Sequence, residues 1–178
     1  MNTNLPDLPS SLKCYWVLPG QFLAGEYPAS RYFEQKTQQI LDGLLNLGVD
    51  TFIDLTRAGE LPPYDSLLQL TAGWQEKRAD YLRFPIADFD IPSEDEMRSL
   101  LAMIDERLQS GRSIYMHCYA GIGRTGTVVG CFLAERSGSG EAALTQLAAL
   151  RSRLPNARMR SPESDAQCDM VRSWKKAA

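Results

Sequence analysis

The chain has 178 residues, a formal net charge of −3, 44% hydrophobic residues and four cysteines. That is the size of one globular domain with a sizeable core. The mild acidity argues against a nucleic-acid or polyanion binder, and no apolar run approaches the ~20 residues of a membrane span.

The opening stretch, MNTNLPDLPSSLK, has neither the charged n-region nor the apolar h-region of a secretory signal. Residues 1–13 read as a flexible N-terminal extension of a single domain spanning 1–178. CYWVLPG and QFLAG read as short strands around the turn Pro19-Gly20. Residues 30–47 place Phe33, Ile40, Leu41, Leu44 and Leu45 on one helical face, with Gly48 as the stop. TFIDL (51–55) is an apolar strand, AGELPPY a loop, and a short helix is expected near Ser66–Leu70. YLRFPI (81–86) is another strand, ended by ADFDIP. Ser93, with Glu96 three residues on, forms a capping-box pattern ahead of Met97, Leu100, Leu101, Ile104 and Leu108. Gly111 ends that helix, and SIYMH (113–117) is a buried-type strand. A helix beginning near Arg124 carries Val128, Val129, Phe132 and Leu133 inward. SGSG (137–140) separates it from a helix over about 141–153. Ser161-Pro162 reads as N-cap and N1 of a last helix running towards Trp174. Strands alternating with helices predict an α/β domain: a central mixed, mostly parallel sheet flanked by helices.

The chemistry concentrates in HCYAGIGRTG, residues 117–126. It lies between the last strand and a helix. Gly121 and Gly123 let the backbone N–H groups of Tyr119, Ala120, Gly121, Ile122, Gly123 and Arg124 converge, and the helix N-terminus adds further unpaired N–H groups. Such a cradle holds phosphate or sulfate, and it favours a thiolate at Cys118. Arg124 can grip two phosphate oxygens in a fork. A nucleophile beneath an oxyanion clamp suits attack on phosphorus.

His117-Cys118-x-x-Gly121-x-x-Arg124-Thr125 resembles the signature of the cysteine-dependent protein tyrosine phosphatases. With the loop two-thirds along the chain, the whole of about 14–175 is similar to the compact dual-specificity branch, of kinase-associated phosphatase type. The K-N-R-Y recognition segment of the large classical enzymes is absent. The resemblance implies that Cys118 forms a phosphocysteine and that Arg124 with the loop N–H groups stabilises the transferring phosphoryl group. It implies that Thr125 hydrogen-bonds the cysteine sulfur and that a carboxylic acid first protonates the leaving oxygen and then activates water. No cofactor and no metal are implied. The family pattern P-x-x-D, with a proline after it, matches Pro85-Ile86-Ala87-Asp88 and Pro92, so Asp88 is preferred as the acid over Asp90, a solvated turn residue or helix cap on the other reading.

His117 reads as a structural residue that hydrogen-bonds loop backbone and helps to set the thiolate. Cys131 reads as core. Cys14 and Cys168 could in principle trap an oxidised Cys118, but their distance along the chain neither supports nor opposes this. Arg57 and Glu60 follow a strand end and could border the pocket, with surface positions preferred. Gln167 loosely resembles the family's water-positioning glutamine, with a helix-surface residue preferred. Arg158 and Arg160 read as a solvated basic loop. Related lipid phosphatases carry lysines at positions matching 119 and 122, where this chain has tyrosine and isoleucine. The expected substrate is therefore a phosphorylated protein, phosphotyrosine favoured. A phosphoinositide or small phosphorylated molecule, and a silent phosphate-binding module, stand as alternatives. A monomer in the reducing cytoplasm, without nucleic-acid partner or membrane insertion, completes the expectation.

Overall fold

The computed structural model describes residues 8–9, 11–30 and 32–176. Five strands, β1 (Cys14–Leu18), β2 (Phe22–Gly25), β3 (Thr51–Asp54), β4 (Asp80–Arg83) and β5 (Ile114–His117), form one sheet in the order β1-β2-β5-β3-β4. β1 and β2 make an antiparallel hairpin, and the other three pairings are parallel. The mixed, mostly parallel α/β sheet read from the sequence is the one present.

Six helices cover it: α1 (Glu34–Asn46), α2 (Asp65–Trp74), α3 (Glu94–Gln109), α4 (Gly123–Ser137), α5 (Gly140–Arg151) and α6 (Asp165–Ser173). Alternation along the strands sorts the side chains between two cores. Phe22, Ala24, Ile53, Ile114 and Met116 pack with residues of α3, α4, α5 and α6. Leu23, Phe52 and Tyr115 pack with residues of α1 and α2 on the opposite face. Burial on both faces explains why the strands read as unbroken apolar runs. α3 has the capping box that Ser93 and Glu96 promise, with acidic residues in its first turn and Arg107 in its last. No described helix is long and apolar enough to cross a membrane.

The parallel register aligns the carboxyl ends of four strands. Gly25 and Asp54 both pair with His117, and Asp54 pairs with Arg83. Behind this edge lies a buried polar network. His117 has no exposed surface; its Nδ1 is 3.4 Å from the Cys118 carbonyl and its Nε2 is 2.6 Å from the Tyr64 hydroxyl. The carbonyl can only accept, so Nδ1 carries the proton and Nε2 accepts from Tyr64. Burial lowers the His117 pKa to about 4, outweighing the pull of Asp54, so the ring is neutral near pH 7. Burial alone would raise the Asp54 carboxyl. The His117 field and hydrogen bonds from Tyr81 and Thr56 hold it below its ordinary value. Arg83 lies 3.1 Å from the same carboxylate and offsets its charge.

Three local expectations change. Phe33 is the N-cap of α1 and 66% exposed, so it lies outside the buried stripe. Ser161-Pro162 does not start the last helix. Ser161 turns against the 118–122 loop, its Oγ donating to the Ile122 carbonyl at 2.7 Å, and a capping box of Ser164 and Gln167 begins α6 three residues later. Of the expected extension, residues 1–7 and 10 lie outside the described residues. Leu12 is buried against the α1–α2 side, because its apolar side chain finds the core that α1 provides.

Two stability predictions follow from this packing. At Gly130 a Cβ would lie 2.5 Å from Val171 Cγ2, so α4 and α6 approach closely only without a side chain there. Gly130→Ala is expected to destabilise by about 1–3 kcal/mol through overpacking. Exposed Gly73 in α2 has open space around it, and Gly73→Ala is expected to stabilise by about 0.5–1 kcal/mol. Urea midpoints should move in opposite directions; a Gly130→Ala midpoint that stays or rises would contradict the close approach.

A third prediction concerns pH. Between pH 6.5 and about 4 the unfolded chain binds a proton at residue 117 that the folded chain refuses. Stability should fall as pH falls through that window, by up to ~1.4 kcal/mol per pH unit. Denaturant midpoints measured across it are expected to flatten in His117→Gln; an unchanged slope would assign the effect to other groups.

Candidate active site

β5 ends at His117, and the chain turns through residues 118–122 into α4. Gly121 has φ +69°, and a Cβ there would fall 2.5 Å from the Gly25 carbonyl carbon. Only glycine permits both that angle and that approach to β2. The loop is pinned from the same side by the Tyr27 N–H, which donates to the Tyr119 carbonyl at 2.9 Å. No side chain caps α4, whose N-cap is Ile122, so the N–H groups of its first turn face the cradle uncapped by the protein's own hydroxyls or carboxylates. Gly123 serves by close approach: a Cβ would lie 3.1 Å from Gln167 Oε1 and 3.2 Å from Glu163 Oε2.

A cavity of about 230 Å³ opens over this loop, lined by Asp88, Phe89, Cys118, Tyr119, Ala120, Ile122, Gly123, Arg124, Met159 and Glu163. Cys118 is 3% exposed and Arg124 is 1% exposed. The Arg124 guanidinium is held from several sides. Its Nη1 and Nη2 donate to Glu60 Oε2 and Oε1 at 2.9 and 2.7 Å, and Nη1 also donates to the Ile86 carbonyl at 3.2 Å. Asp88 Oδ1 lies 3.0 Å from Nη2. The hydrogen bonds from Arg124 hold the Glu60 carboxyl below its ordinary pKa. Thr125 is fully buried in the first turn of α4, and its Oγ1 has no hydrogen-bond partner among the described residues.

The structure therefore brings Cys118, Arg124, Asp88, Tyr119, Ala120, Ile122 and Gly123 to one cavity, while Gly121, Thr125 and His117 are not among its lining residues. It separates Asp90 from that group. Asp90 is exposed, and its Oδ1 accepts from the Ile91 N–H in its own loop at 2.9 Å. Two preferred surface positions are corrected. Glu60 turns inward because the buried Arg124 guanidinium at the start of α4 requires an anion. Gln167 has no exposed surface, because its amide bonds three backbone groups of neighbouring segments. The Arg57 side chain is exposed, and the Arg57 backbone N–H donates to Glu60 Oε2 at 3.0 Å. Arg158 and Arg160 are exposed, the latter paired with Asp165 at 2.7 Å, whereas Met159 between them lines the cavity. Phe89, Met159 and Glu163 carry no local motif that would mark them in the sequence. The capping box of Ser164 and Gln167 was a readable signal for where α6 begins.

All four cysteines are free. Cys14 packs in the core across the sheet from the one containing Cys118, and burial, with Glu26 nearby, pushes its thiol up to about 12. The Cys168 thiol donates to the Pro162 carbonyl at 3.4 Å. Cys131 lies in the α4 core, where burial raises its pKa.

A family model described as "Tc-R-P: Polymorphic toxin system, DSP-PTPase phosphatase" matches residues 28–138. Protein tyrosine phosphatase domain-containing protein 1 of Mus musculus is 29% identical over 125 residues, covering 66% of this chain and 16% of that protein. Dual specificity protein phosphatase CDC14B of Mus musculus is 32% identical over 124 residues, covering 66% of this chain and 23% of that protein. The chain thus spans less than a quarter of the length of these two relatives. Among solved structures, Tk-PTP in its active form superposes with a TM-score of 0.69 at 25% identity, covering 89% of this chain and 93% of that one. Kinase associated phosphatase with its catalytic cysteine replaced by serine gives 0.67 at 18% identity, covering 90% of each chain. PTPMT1 in complex with PI(5)P gives 0.66 at 17% identity, covering 91% of this chain and 94% of that one. The last two likenesses are of fold alone. With the family model matching more than half of the chain over a loop, sheet and helix order of this kind, the chain belongs to the DSP-PTPase phosphatases of polymorphic toxin systems, a compact dual-specificity-like branch of the protein tyrosine phosphatase superfamily.

Proposed function

We propose that the protein hydrolyses phosphomonoesters on protein side chains through a phosphocysteine intermediate, with phosphotyrosine as the favoured substrate. The observation that carries this reading is the convergence of Cys118, Arg124 and Asp88 on one cavity. Cys118 attacks phosphorus, and the P–O bond to the leaving group breaks. Glu60 occupies the Nη1–Nη2 edge of Arg124, which leaves the Nε–Nη2 edge as the fork for two phosphate oxygens. The uncapped N–H groups at the start of α4 meet the remaining charge. Asp88, on the cavity wall 3.0 Å from Nη2, donates a proton to the leaving oxygen. The resulting carboxylate then takes a proton from the water that hydrolyses the intermediate. Thr125, with an unused hydroxyl, supplies a hydrogen bond to the departing sulfur.

The preference for an aryl ester rests on the cavity mouth. Phe89, Tyr119 and Met159 are 60%, 54% and 49% exposed there, forming an apolar collar around a small pocket. A tyrosyl ring gains contact with such a collar. Arg124 is the one cationic residue among the described lining residues, beside Asp88 and Glu163. A second phosphate on an inositol ring would find no partner and two like charges. A thiolate nucleophile requires a reducing compartment, as in the cytoplasm, and the chemistry needs a single copy of the chain.

Turnover of a phosphotyrosine peptide, a phosphothreonine peptide and phosphatidylinositol phosphates, measured without added metal, tests the substrate class. The phosphotyrosine peptide is expected to be the best substrate; a phosphoinositide outpacing it would replace the protein reading with a lipid one. Cys118→Ser should abolish turnover and keep phosphate binding, and near-normal activity in that variant would exclude the cysteine mechanism. Arg124→Lys should lose more than about tenfold, or ~1.4 kcal/mol of barrier, because a point charge cannot replace the fork. Asp88→Asn should slow the phosphotyrosine peptide by about 10²–10⁴ and an activated aryl phosphate far less, because a good leaving group needs no proton. Asp90→Asn should leave both substrates nearly unchanged; the reverse pattern would move the acid to Asp90.

A further inference from the structure

The chain between α5 and α6 touches both halves of the site. On the phosphate-loop side, Ser161 Oγ donates to the Ile122 carbonyl at 2.7 Å, and Gln167 sits against Gly123. On the acid-loop side, Ser164 Oγ donates to the Phe89 carbonyl at 3.3 Å, and Gln167 Nε2 donates to the Asp90 carbonyl at 3.1 Å. Gln167 is fully buried, and its Oε1 accepts from the Glu163 and Ser164 N–H groups, both at 3.1 Å. This orientation of the amide is the one its surroundings allow: two N–H groups face the oxygen and a carbonyl faces the nitrogen. Both lone pairs of Oε1 are therefore used, and the side chain cannot accept a proton from a catalytic water while they are.

The acid loop needs such support. Phe89, between Asp88 and Asp90, has φ 61°, a left-handed conformation unfavourable for an aromatic residue. Both hydrogen bonds from the α6 start fall on the carbonyls of Phe89 and Asp90, immediately after Asp88. We propose that Gln167 is a positioning residue for the general acid: it ties the 84–92 loop to the phosphate loop and so fixes the Asp88 carboxyl at the cavity mouth. This rests on the reading of Asp88 as the acid, and it assigns Gln167 to the acid loop instead of to the hydrolytic water.

Two variants test it. Gln167→Glu keeps the acceptor for the Glu163 and Ser164 N–H groups, and with it the capping box, but sets an oxygen against the Asp90 carbonyl. Gln167→Leu removes all three contacts. Single-turnover phosphorylation of Cys118 is measured with a phosphotyrosine peptide and with an activated aryl phosphate. Amide hydrogen exchange is followed over residues 84–92. Both variants are expected to slow the peptide by about tenfold or more and the activated ester by under about threefold, and combined with Asp88→Asn to add little further loss. Exchange in the acid loop should accelerate. An equal loss on both substrates would overturn the proposal. So would accumulation of phosphoenzyme with unchanged peptide phosphorylation, the mark of a water-orienting residue, or unchanged loop exchange. Absence of leaving-group dependence in Asp88→Asn itself would remove that residue as the acid, a separate failure from that of the loop tie, which the exchange measurement still reads.

Discussion

A guanidinium with 1% of its surface exposed sits at the centre of this molecule, and its burial constrains the rest. Removing such a charge from water costs several kcal/mol unless anions and carbonyls replace the lost hydration. Arg124 finds them in two loops from different strands. Glu60 comes from the connection after β3, while the Ile86 carbonyl and Asp88 come from the connection after β4. One side chain on α4 thereby gathers both loops over Cys118. The interaction lives on the packing link, but its consequence is functional: the cation that would meet a phosphate is held in place beforehand, at no further cost in side-chain entropy on binding.

The sheet edge behind Cys118 solves a related problem with neutral groups. His117 is pressed into the core by the register that pairs it with both Gly25 and Asp54. A charged imidazole there would be costly, and burial keeps the ring neutral. It then serves as a rigid link, donating to the Cys118 carbonyl and accepting from Tyr64. Asp54 keeps its charge by collecting Thr56, Tyr81 and Arg83. A buried hydrogen-bonded network of this kind fixes the strand end from which the phosphate loop departs.

The outer rim is built differently. Phe89, Tyr119 and Met159 expose about half of their surface or more at the cavity mouth, and Phe89 does so from a strained backbone angle. The 84–92 loop is tied by hydrogen bonds to the Phe89 and Asp90 backbone carbonyls, which hold a path of chain irrespective of the side chains on it. Rigidity at the base and lighter fastening at the rim suit a site whose phosphate pocket is constant and whose collar contacts the variable part of a substrate.

Features written in adjacent residues were legible without coordinates. The α3 capping box, the apolar strands and the run from His117 to Thr125 each depend on spacings of a few residues, where backbone geometry leaves little choice. The preference for Asp88 over Asp90 rests on the P-x-x-D pattern of the resemblance, again a spacing of a few residues, and Asp88 lines the cavity. Glu60 and Gln167 were preferred as surface residues because nothing near them in sequence shows a partner. Glu60 meets Arg124 across 64 positions, and Gln167 meets Asp90 across 77. Phe33 and Ser161 take other places for the same reason: a hydrophobic residue ahead of a helix and a Ser-Pro pair each have several local uses, and only the neighbouring surface selects one. The sequence by itself determined the sheet-and-helix order and the strand–glycine-rich turn–helix arrangement of residues 113–137, because both are enforced by short-range backbone geometry. Which charged and polar groups close around that loop was decided by the tertiary structure alone, because a buried cation or amide takes its partner from whatever segment the packing brings within hydrogen-bonding distance.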